Sequence, residues 1–500
     1  MTTAVSLAAI NFNWLPILPL LIITVGAMVV LLVGVNVSDR DSEGLGWLSL
    51  VAIALAVATS FLLLGTQQVT FSGALVADNY TAFFYVVILL AAAVIVLMSL
   101  DYVPEEGLPG AEYYALVLFA TAGMMLMAAA GDLIIVFLGL ETMSISVYIL
   151  AGLARTDVRS NEAALKYFLL GAFSTGFLLY GIALIYGATG TIKLQPLTAL
   201  IAGGGNTSPM LLLGVGLLLI GFGFKVAAVP FHMWTPDVYE GAPTSVTAFM
   251  AVGVKLASFA AFLRVFMVHL LGVQADWSMV LWVLAVLTMT TGNIVALMQT
   301  NLKRMMAYSA IAHAGYILVA MTAGSSAAGA AILYYLLGYA FTNLGAFAVI
   351  IAMGRRGHPH ETIADLRGLS TREPALAGAM AIMLFSLTGV PPLAGFVGKF
   401  SIFSAALSSG YVWLVVIAVL NSVTSVYYYL RPIVAMYTDT GGAEVVRMRS
   451  RPALIAAIAI AVIATIMIGI YPQPYMAAST NAFASAFGKP PLATTASLRP

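Results

Sequence analysis

Long apolar runs are the feature of this sequence that most limits how it can fold. Runs of about twenty residues recur along the chain, for example near residues 14–36, 79–100 and 452–472. A helix of that length crosses the ~30 Å hydrocarbon core of a bilayer. Inside lipid, every backbone N–H and C=O group must be bonded within the protein, which only helices and closed barrels achieve. Barrel strands would instead show alternating apolar residues over about ten positions. The runs therefore predict an all-α polytopic membrane protein.

The low share of charged residues also favours a membrane environment. Only 8% of the 500 residues are Asp, Glu, Lys or Arg, whereas soluble domains carry about 25%. The formal net charge of +1 provides no basic face, so we expect contact with membrane lipids and none with nucleic acid. The chain has no cysteine, which excludes disulfides and thiolate ligation of zinc or iron–sulfur clusters. We therefore expect no cofactor and no metal centre in the chain itself.

The apolar runs predict about fourteen transmembrane helices. The predicted spans are 14–36, 46–66, 79–100, 112–130, 132–154, 162–187, 209–229, 243–269, 277–298, 304–323, 328–354, 374–408, 411–438 and 452–472. The loops between them are short and leave no room for a separate catalytic domain. Whatever the protein does, it is expected to do within the bilayer.

Lysine and arginine residues are concentrated in alternate loops. The odd-numbered connections contain thirteen of them, and the even-numbered connections contain only Lys193. The thirteen are Arg40, Arg155, Arg159, Lys166, Lys303, Arg304, Arg355, Arg356, Arg367, Arg372, Arg447, Arg449 and Arg451. Loops rich in Lys and Arg face the cytoplasm. We therefore predict a multi-pass protein with both termini on the external side. The expected location is the bacterial inner (plasma) membrane, with a thylakoid membrane left open as the alternative.

Four charged residues within the apolar spans are the main candidates for a functional role: Glu141, Lys225, Lys255 and Lys399. Glu141 is about nine residues, or roughly 14 Å, inside its span, and Lys255 is about twelve residues, or roughly 18 Å, inside its own. A charge near the bilayer centre costs at least ~2.5–3.5 kcal/mol, so it must be paired, hydrated or neutral. Such residues predict an ion or proton pathway. We expect Lys225 to exchange its proton as its distance from Glu141 changes, because a nearby carboxylate stabilises the ammonium form.

Other charged residues have simpler alternative explanations. Arg264 and Arg431 lie near helix ends, where they can snorkel to the interface or anchor a partner. Asp132 opens the fifth span as a helix cap or as a possible relay residue. Glu162 is four residues before Lys166, which predicts a surface ion pair or an uptake-side relay.

Two of the buried lysines lie beside predicted helix breaks. Lys225 is followed by Pro230, and Lys399 follows Pro391 and Pro392. A proline inside a helix removes a backbone hydrogen bond, and in lipid the freed carbonyls must line a polar cavity. Paired interrupted helices in two halves of a chain indicate a transport site.

The two breaks also divide the chain. Spans 4–8 and 9–13 form two five-helix units, each with its broken helix fourth, and an odd number of helices makes the second unit inverted. The predicted segments are 1–110 with the first three spans, 111–270 and 271–440 with the two inverted repeats, and 441–500 with the last span and the C-terminal tail.

Three segments show a family resemblance. Lys225–Pro243, Glu162–Gly171 and Asn301–Ser309 resemble the antiporter-like subunits shared by respiratory complex I, membrane-bound hydrogenases and multisubunit cation/proton antiporters. Within that family they look like the subunit N group, and Lys399 stands where the subunit M group typically carries a glutamate. The resemblance covers nearly the whole chain.

The resemblance implies roles for the buried residues. It places Glu141, Lys225, Lys255 and Lys399 in a proton relay and His232 along the same path. His313 could bridge the two halves, although a hydrogen-bonded core histidine explains it equally well.

The implied function is proton translocation in the membrane arm of a NADH:quinone oxidoreductase, coupled to quinone reduction elsewhere in the complex. The resemblance implies NADH, FMN, iron–sulfur clusters and quinone in other subunits. It implies subunit M and the small subunits adjoining the quinone-site region as partners. Three alternatives stay open: a subunit of a cation/proton antiporter or hydrogenase-type complex, a structural spacer, and a self-sufficient transporter.

Overall fold

The computed structural model describes residues 13–38, 41–202, 208–354, 360–438 and 451–487. The predicted linker Gly203–Gly205 lies outside these residues, as do the loop cations Arg40, Arg355, Arg356, Arg447 and Arg449. The described chain is helical apart from one small antiparallel hairpin of β1 (Gln68–Thr70) and β2 (Leu75–Ala77).

The helices follow one another closely along the chain. The first half contains α1 (Leu18–Gly34), α2 (Glu43–Ser60), α3 (Asn79–Ser99), α4 (Tyr102–Glu106), α5 (Gly110–Ala128), α6 (Leu133–Ala151), α7 (Val158–Thr189), α8 (Leu194–Ala202), α9 (Pro209–Lys225), α10 (Trp234–Gly241), α11 (Thr244–Phe249) and α12 (Lys255–Phe262). The second half contains α13 (Gln274–Ala296), α14 (Leu302–Ala323), α15 (Ser326–Met353), α16 (Leu369–Arg372), α17 (Pro374–Thr388), α18 (Ala394–Ser408), α19 (Val412–Thr438), α20 (Pro452–Ile470) and α21 (Gln473–Ser485). Two π-helical segments, Met250–Val254 and Leu263–His269, flank α12 and join it to α11 in one span.

Twelve helices of the described residues are long and apolar enough to cross a bilayer. Three shorter apolar helices, α9, α17 and α18, occupy the predicted seventh and twelfth spans. The structure therefore confirms a polytopic all-α membrane fold. The total of fourteen spans, the inverted relation of the two repeats and the four-segment division stay predictions.

Side-chain caps set the starts of several helices. Asp78 accepts a hydrogen bond from the Thr81 backbone at the start of α3, and Asp132 accepts one from the Ile135 backbone at the start of α6. Asp157 caps α7, which begins at Val158, four residues before the start predicted from hydropathy. Such caps satisfy backbone N–H groups that have no partner within the helix. Polar and charged residues thus extend α7 beyond the apolar run that predicted it.

The protein core is formed by the eighth, tenth and eleventh spans. The most apolar stretches of the α11–α12 span and of α15 are entirely buried, whereas that of α1 is only 28% buried. The outer helices are therefore more exposed than the central helices, which carry some of the buried charged groups. Lys255 and His313 both lie in this core.

Two spans are interrupted at proline-containing loops. Residues 226–233, which include Pro230, separate α9 from α10, and residues 389–393, which include Pro391 and Pro392, separate α17 from α18. Polar side chains bond the backbone groups exposed at the first break. The Val229 amide donates to Thr288 Oγ1 at 2.9 Å, and the Phe224 carbonyl accepts from the Trp234 indole at 3.0 Å. Backbone N–H and C=O groups at membrane depth require such hydrogen-bond partners within the protein.

Candidate functional site

Lys225 lies at the C-terminal end of α9 and is 3% exposed. Its ammonium donates to Ser144 Oγ at 2.8 Å and to the Tyr148 hydroxyl at 3.1 Å, both on α6. The same nitrogen is 5.3 Å from the Tyr148 ring centroid and 5.6 Å from that of Tyr167. Helix-end carbonyls and aromatic faces both favour a cation. The surroundings therefore suit an ammonium that has no paired carboxylate.

Glu141 lies on α6, the helix that also carries Ser144 and Tyr148, but it is not bonded to Lys225. Its Oε1 accepts a hydrogen bond from Thr175 Oγ1 on α7 at 2.9 Å. Among the described residues, the salt bridges within 4 Å include none to Lys225, so the expected direct contact is not formed in this arrangement. Glu141, Ser144 and Tyr148 are three and four residues apart, which places them on one face of α6. The two hydroxyls that bond Lys225 therefore lie one and two helical turns from the Glu141 carboxylate.

Gly171 on α7 makes room for the Tyr148 hydroxyl. A Cβ atom at position 171 would lie only 2.0 Å from that oxygen. Any larger residue would push the phenol away from the ammonium of Lys225. The glycine is thus part of the site although it carries no functional group.

His232 lies in the loop that interrupts the seventh span. The side chain is partly buried, and its Nδ1 has no hydrogen-bond partner among the described residues. A buried polar atom without a partner is uncommon and calls for an explanation such as water. Pro230 precedes His232 by two residues in the same loop. The structure thus places this histidine at the break, as the sequence expects, without a direct bond to Lys225.

Lys255 lies at the start of α12, directly after the first π-helical segment. It is 3% exposed, and its ammonium donates to the Ala310 carbonyl on α14 and to the Tyr339 hydroxyl on α15 at 3.3 Å. The Tyr339 ring centroid is 5.0 Å from the same nitrogen. No hydropathy pattern indicated these two partners, because they come from different, distant spans.

His313 is held in a cluster of tyrosines at the centre of the protein. Its two ring nitrogens are hydrogen-bonded to the hydroxyls of Tyr335 and Tyr429, the latter at 3.0 Å. Its ring centroid is 5.4 Å from that of Tyr339 and 5.6 Å from that of Tyr316. Tyr339 contacts Lys255, and Tyr316 lies against Lys399, so the histidine stands between the two lysines.

Lys399 lies on α18, five residues after this helix begins at Ala394, beyond the second break. It is 5% exposed. Its ammonium donates to the Thr388 carbonyl at 2.9 Å and to Ser422 Oγ at 3.0 Å, and it is 5.1 Å from the Tyr316 ring centroid. Thr388 is the last residue of α17, so the interruption frees the carbonyl that binds the lysine. The proline-containing break and the buried lysine are therefore joined by a hydrogen bond.

Five charged residues form a surface ion cluster near the first break. Lys166 pairs with Glu162 at 2.6 Å and with Asp237 at 2.9 Å, and Arg304 pairs with Asp237 at 2.9 Å and Glu240 at 2.8 Å. The cluster lines a cavity of about 190 Å³. Its acids are carried by α7 and α10, and its cations by α7 and α14. The predicted Glu162–Lys166 pair is present, in the second turn of α7 and not at its start.

The remaining candidates have structural partners. Asp132 caps α6 through the Ile135 backbone amide at 2.7 Å. Arg431 donates to the Leu297 carbonyl at 2.7 Å, just beyond the end of α13. Within the described residues, no group of three or more His, Asp and Glu side chains is arranged to hold a metal ion.

Sequence reasoning missed the buried ion pair of Arg264 with Asp78. Two guanidinium nitrogens donate to the two carboxylate oxygens, each at 3.0 Å, and both side chains are at most 4% exposed. Arg264 therefore does not snorkel to the interface. The pairing of Asp78 could not be predicted from the sequence, because an aspartate just before an apolar run is also explained as a helix cap.

Comparison with known proteins places the chain in a family. The family described as "NADH:quinone oxidoreductase/Mrp antiporter, TM" matches residues 130–425, which is more than half of the chain. The chain belongs to this family. A NADH-quinone oxidoreductase subunit N of Trichlorobacter lovleyi is 53% identical over 436 residues, covering 87% of this chain and 89% of that protein. A subunit N of Rhizobium meliloti is 42% identical over 482 residues, covering 96% and 99%. These matches confirm the resemblance to the subunit N group.

Solved members of the NADH:quinone oxidoreductase/Mrp antiporter fold superpose on most of the chain. A chain of respiratory complex I from Thermus thermophilus is 36% identical, with a TM-score of 0.79 over 92% of this chain and 98% of that one. A chain of the membrane-bound sulfane sulfur reductase, an archaeal respiratory membrane complex, is 26% identical, with a TM-score of 0.84 over 95% and 98%. The Mrp complex from Dietzia sp. contains a chain with the same fold at 24% identity, with a TM-score of 0.79 over 94% and 98%.

Proposed function

We propose that this chain translocates protons in the membrane arm of a NADH:quinone oxidoreductase. The relay consists of Glu141, Lys225, His232, Lys255 and Lys399. His313 and Glu162 are further relay candidates, and Asp132 acts as a helix cap in this arrangement. The energy for proton translocation comes from quinone reduction elsewhere in the complex. It reaches this chain as a conformational or electrostatic change.

One observation carries the proposal: a row of neighbouring aromatic side chains, with His313 in its middle, lies between two buried lysines. Lys255 bonds the Tyr339 hydroxyl, the His313 ring lies against Tyr339 and Tyr316, and Tyr316 lies against Lys399. An imidazole can accept a proton at one nitrogen and donate from the other, and a phenol hydroxyl does both at one oxygen. Structural packing alone does not require cations at both ends of such a set.

The first step takes place between Glu141 and Lys225. Lys225 is bonded to Ser144, three residues from Glu141 on the same face of α6, so a change of rotamer can carry its ammonium to the carboxylate. A charge pair at ~4 Å in an effective dielectric near 20 is worth about 4 kcal/mol. Forming that pair holds a proton on Lys225, and breaking it releases the proton toward His232 and Lys255. The hydroxyls of Ser144 and Tyr148 can accept from the ammonium or donate to the neutral amine, so they hold the lysine in the separated state before and after its proton leaves.

The partners follow from the family. The relatives named above are subunits N of NADH-quinone oxidoreductases, so we infer that subunit M and the small subunits adjoining the quinone-site region pack against this chain. NADH, FMN, iron–sulfur clusters and quinone belong to other subunits of that complex. Its membrane is a bacterial inner membrane, with both termini on the external side.

A second candidate is a hydrogenase-type or antiporter complex, favoured by the family description, which names the Mrp antiporter beside the oxidoreductase. Mass spectrometry of proteins that co-purify with the tagged chain in mild detergent separates the two. Recovery of an NADH-oxidising flavoprotein arm supports the oxidoreductase. Recovery with small antiporter subunits alone contradicts it.

Proton pumping by the complex in liposomes tests the relay. Lys225→Gln removes the titratable ammonium but leaves an amide that can still donate to Ser144 and Tyr148, so the complex should assemble and pump fewer protons per electron. Lys193→Gln is the matched control, because Lys193 is exposed and its ammonium donates to a backbone carbonyl, that of Ser72. Unchanged pumping in Lys225→Gln would remove that lysine from the mechanism.

A further inference from the structure

Two aromatic rings are stacked directly beside the Lys225 site. The rings of Tyr167 on α7 and Trp234 on α10 have centroids 4.2 Å apart and are within 7° of parallel. Their side chains are 0% and 2% exposed. The Trp234 indole donates to the Phe224 carbonyl, which ties the stack to the residue preceding Lys225. The stack is therefore a buried layer at the end of α9, held there by a hydrogen bond.

The stack separates an exposed charged cluster from a buried one. On its inner side, the ammonium of Lys225 lies 5.6 Å from the Tyr167 ring centroid. On its outer side are Lys166, the neighbour of Tyr167 in sequence, and Asp237, three residues after Trp234. Their side chains are 41% and 36% exposed and pair at 2.9 Å. The stack thus lies beside the most direct route between α7 and α10 from the outer acids to Lys225.

Two buried hydroxyls beside the stack have no hydrogen-bond partner among the described residues. They are the phenol of Tyr167 and Oγ1 of Thr235, the residue after Trp234. Buried hydroxyls are nearly always bonded to protein or to water. Partners for both become available if water enters when the rings part.

The position of Trp234 depends on the ion cluster at the surface. Trp234 is the first residue of α10, and the acids of α10 are held by Lys166 of α7 and Arg304 of α14. The short helix α10 therefore carries both the indole and the acids, so a movement of this helix would displace the ring stack and the ion pairs together.

We propose that the Tyr167–Trp234 stack is a gate between the surface ion cluster and Lys225. It admits water and protons only when α10 moves away from α7. This proposal rests on the proton-relay function and adds two positioning residues to it.

Cysteine labelling tests the gate independently of pumping. The chain contains no cysteine, so Ser144→Cys introduces a single thiol 2.8 Å from the position of the Lys225 ammonium. The probe is a membrane-impermeant anionic methanethiosulfonate, added to inside-out vesicles that contain the intact complex. Its attachment to this chain is followed by mass spectrometry. With the gate intact, labelling should be slow. Trp234→Ala leaves a cavity large enough for water, so labelling should accelerate at least about tenfold.

Two further variants control for loosened packing. Trp234→Phe keeps a ring in the stack and should label slowly. Trp277→Ala removes another buried tryptophan, 1% exposed, whose indole likewise donates to a helix-end carbonyl, that of Leu270. It should also label slowly.

The gate is overturned if assembled Trp234→Ala labels no faster than the parent, if Trp277→Ala labels as fast, or if the probe reacts only from the opposite membrane face. Loss of the pumping role of Lys225 would leave these labelling rates unchanged, so the two failures are distinguishable.

Discussion

Lys399 offers a test of whether its proton, and not merely its charge, is needed. Its ammonium is bonded to the Thr388 carbonyl and to Ser422, and its side chain packs 3.2 Å from the position a Cβ would take on Gly389. Arginine keeps a positive charge and several donors but does not lose its proton in proteins. Lys399→Arg should therefore preserve assembly and abolish the contribution of this site to pumping.

Replacing Lys399 by methionine removes both its positive charge and its hydrogen-bond donors. Lys399→Met removes the donor to the Thr388 carbonyl, and an unsatisfied buried acceptor costs ~1–3 kcal/mol. The loss of a cation at the C-terminal end of α17 costs a further ~0.3–1 kcal/mol. Removal of a buried charge offsets part of both costs. The net destabilisation should therefore stay below ~4 kcal/mol, and the complex should dissociate at a lower temperature on native gels.

The assay is proton pumping per electron in liposomes, measured with the dissociation temperature of each variant. Lys193→Arg is the control for the same substitution at an exposed lysine that also bonds a carbonyl. Both Lys399 variants should pump less, and only the methionine variant should lose stability. Full pumping by Lys399→Arg would refute the reasoning, because a permanently charged group cannot pass on a proton.

Two further variants test geometry found only in the structure. Gly171→Ala should displace the tyrosine hydroxyl that bonds Lys225 and lower pumping, whereas Gly176→Ala on the same helix meets no atom within 4 Å and should pump normally; equal pumping by both would contradict the role of the glycine. Asp78→Asn leaves Arg264 buried without a counter-charge and should lower the free energy of unfolding by ~3–5 kcal/mol, seen as a lower dissociation temperature on native gels. Asp157→Asn in the exposed pair with Arg159 should cost less than ~1 kcal/mol, and a similar loss in both would argue against the buried pair.

Much of the candidate site could be predicted, because its charged residues and prolines stand out within apolar helical runs. A lysine in the middle of an apolar run is conspicuous in any window of twenty residues, as are Pro230 and Pro391 within predicted helices. Ser144 and Tyr148 could also have been found, since they follow Glu141 at helical spacing. The tyrosines around His313 could not, because a tyrosine in an apolar span is unremarkable by composition.

The sequence by itself determined which segments are buried in the membrane, which of them are interrupted, and which carry a charge. These properties follow from the transfer of single side chains and single peptide groups into lipid, and that cost depends only on local composition. The tertiary structure alone decided which groups meet. Arg264 pairs with Asp78 across 186 residues, and Lys225 bonds hydroxyls on α6 in preference to the carboxylate one turn away. Such choices depend on the packing of distant helices, whose register leaves no periodic trace in the chain.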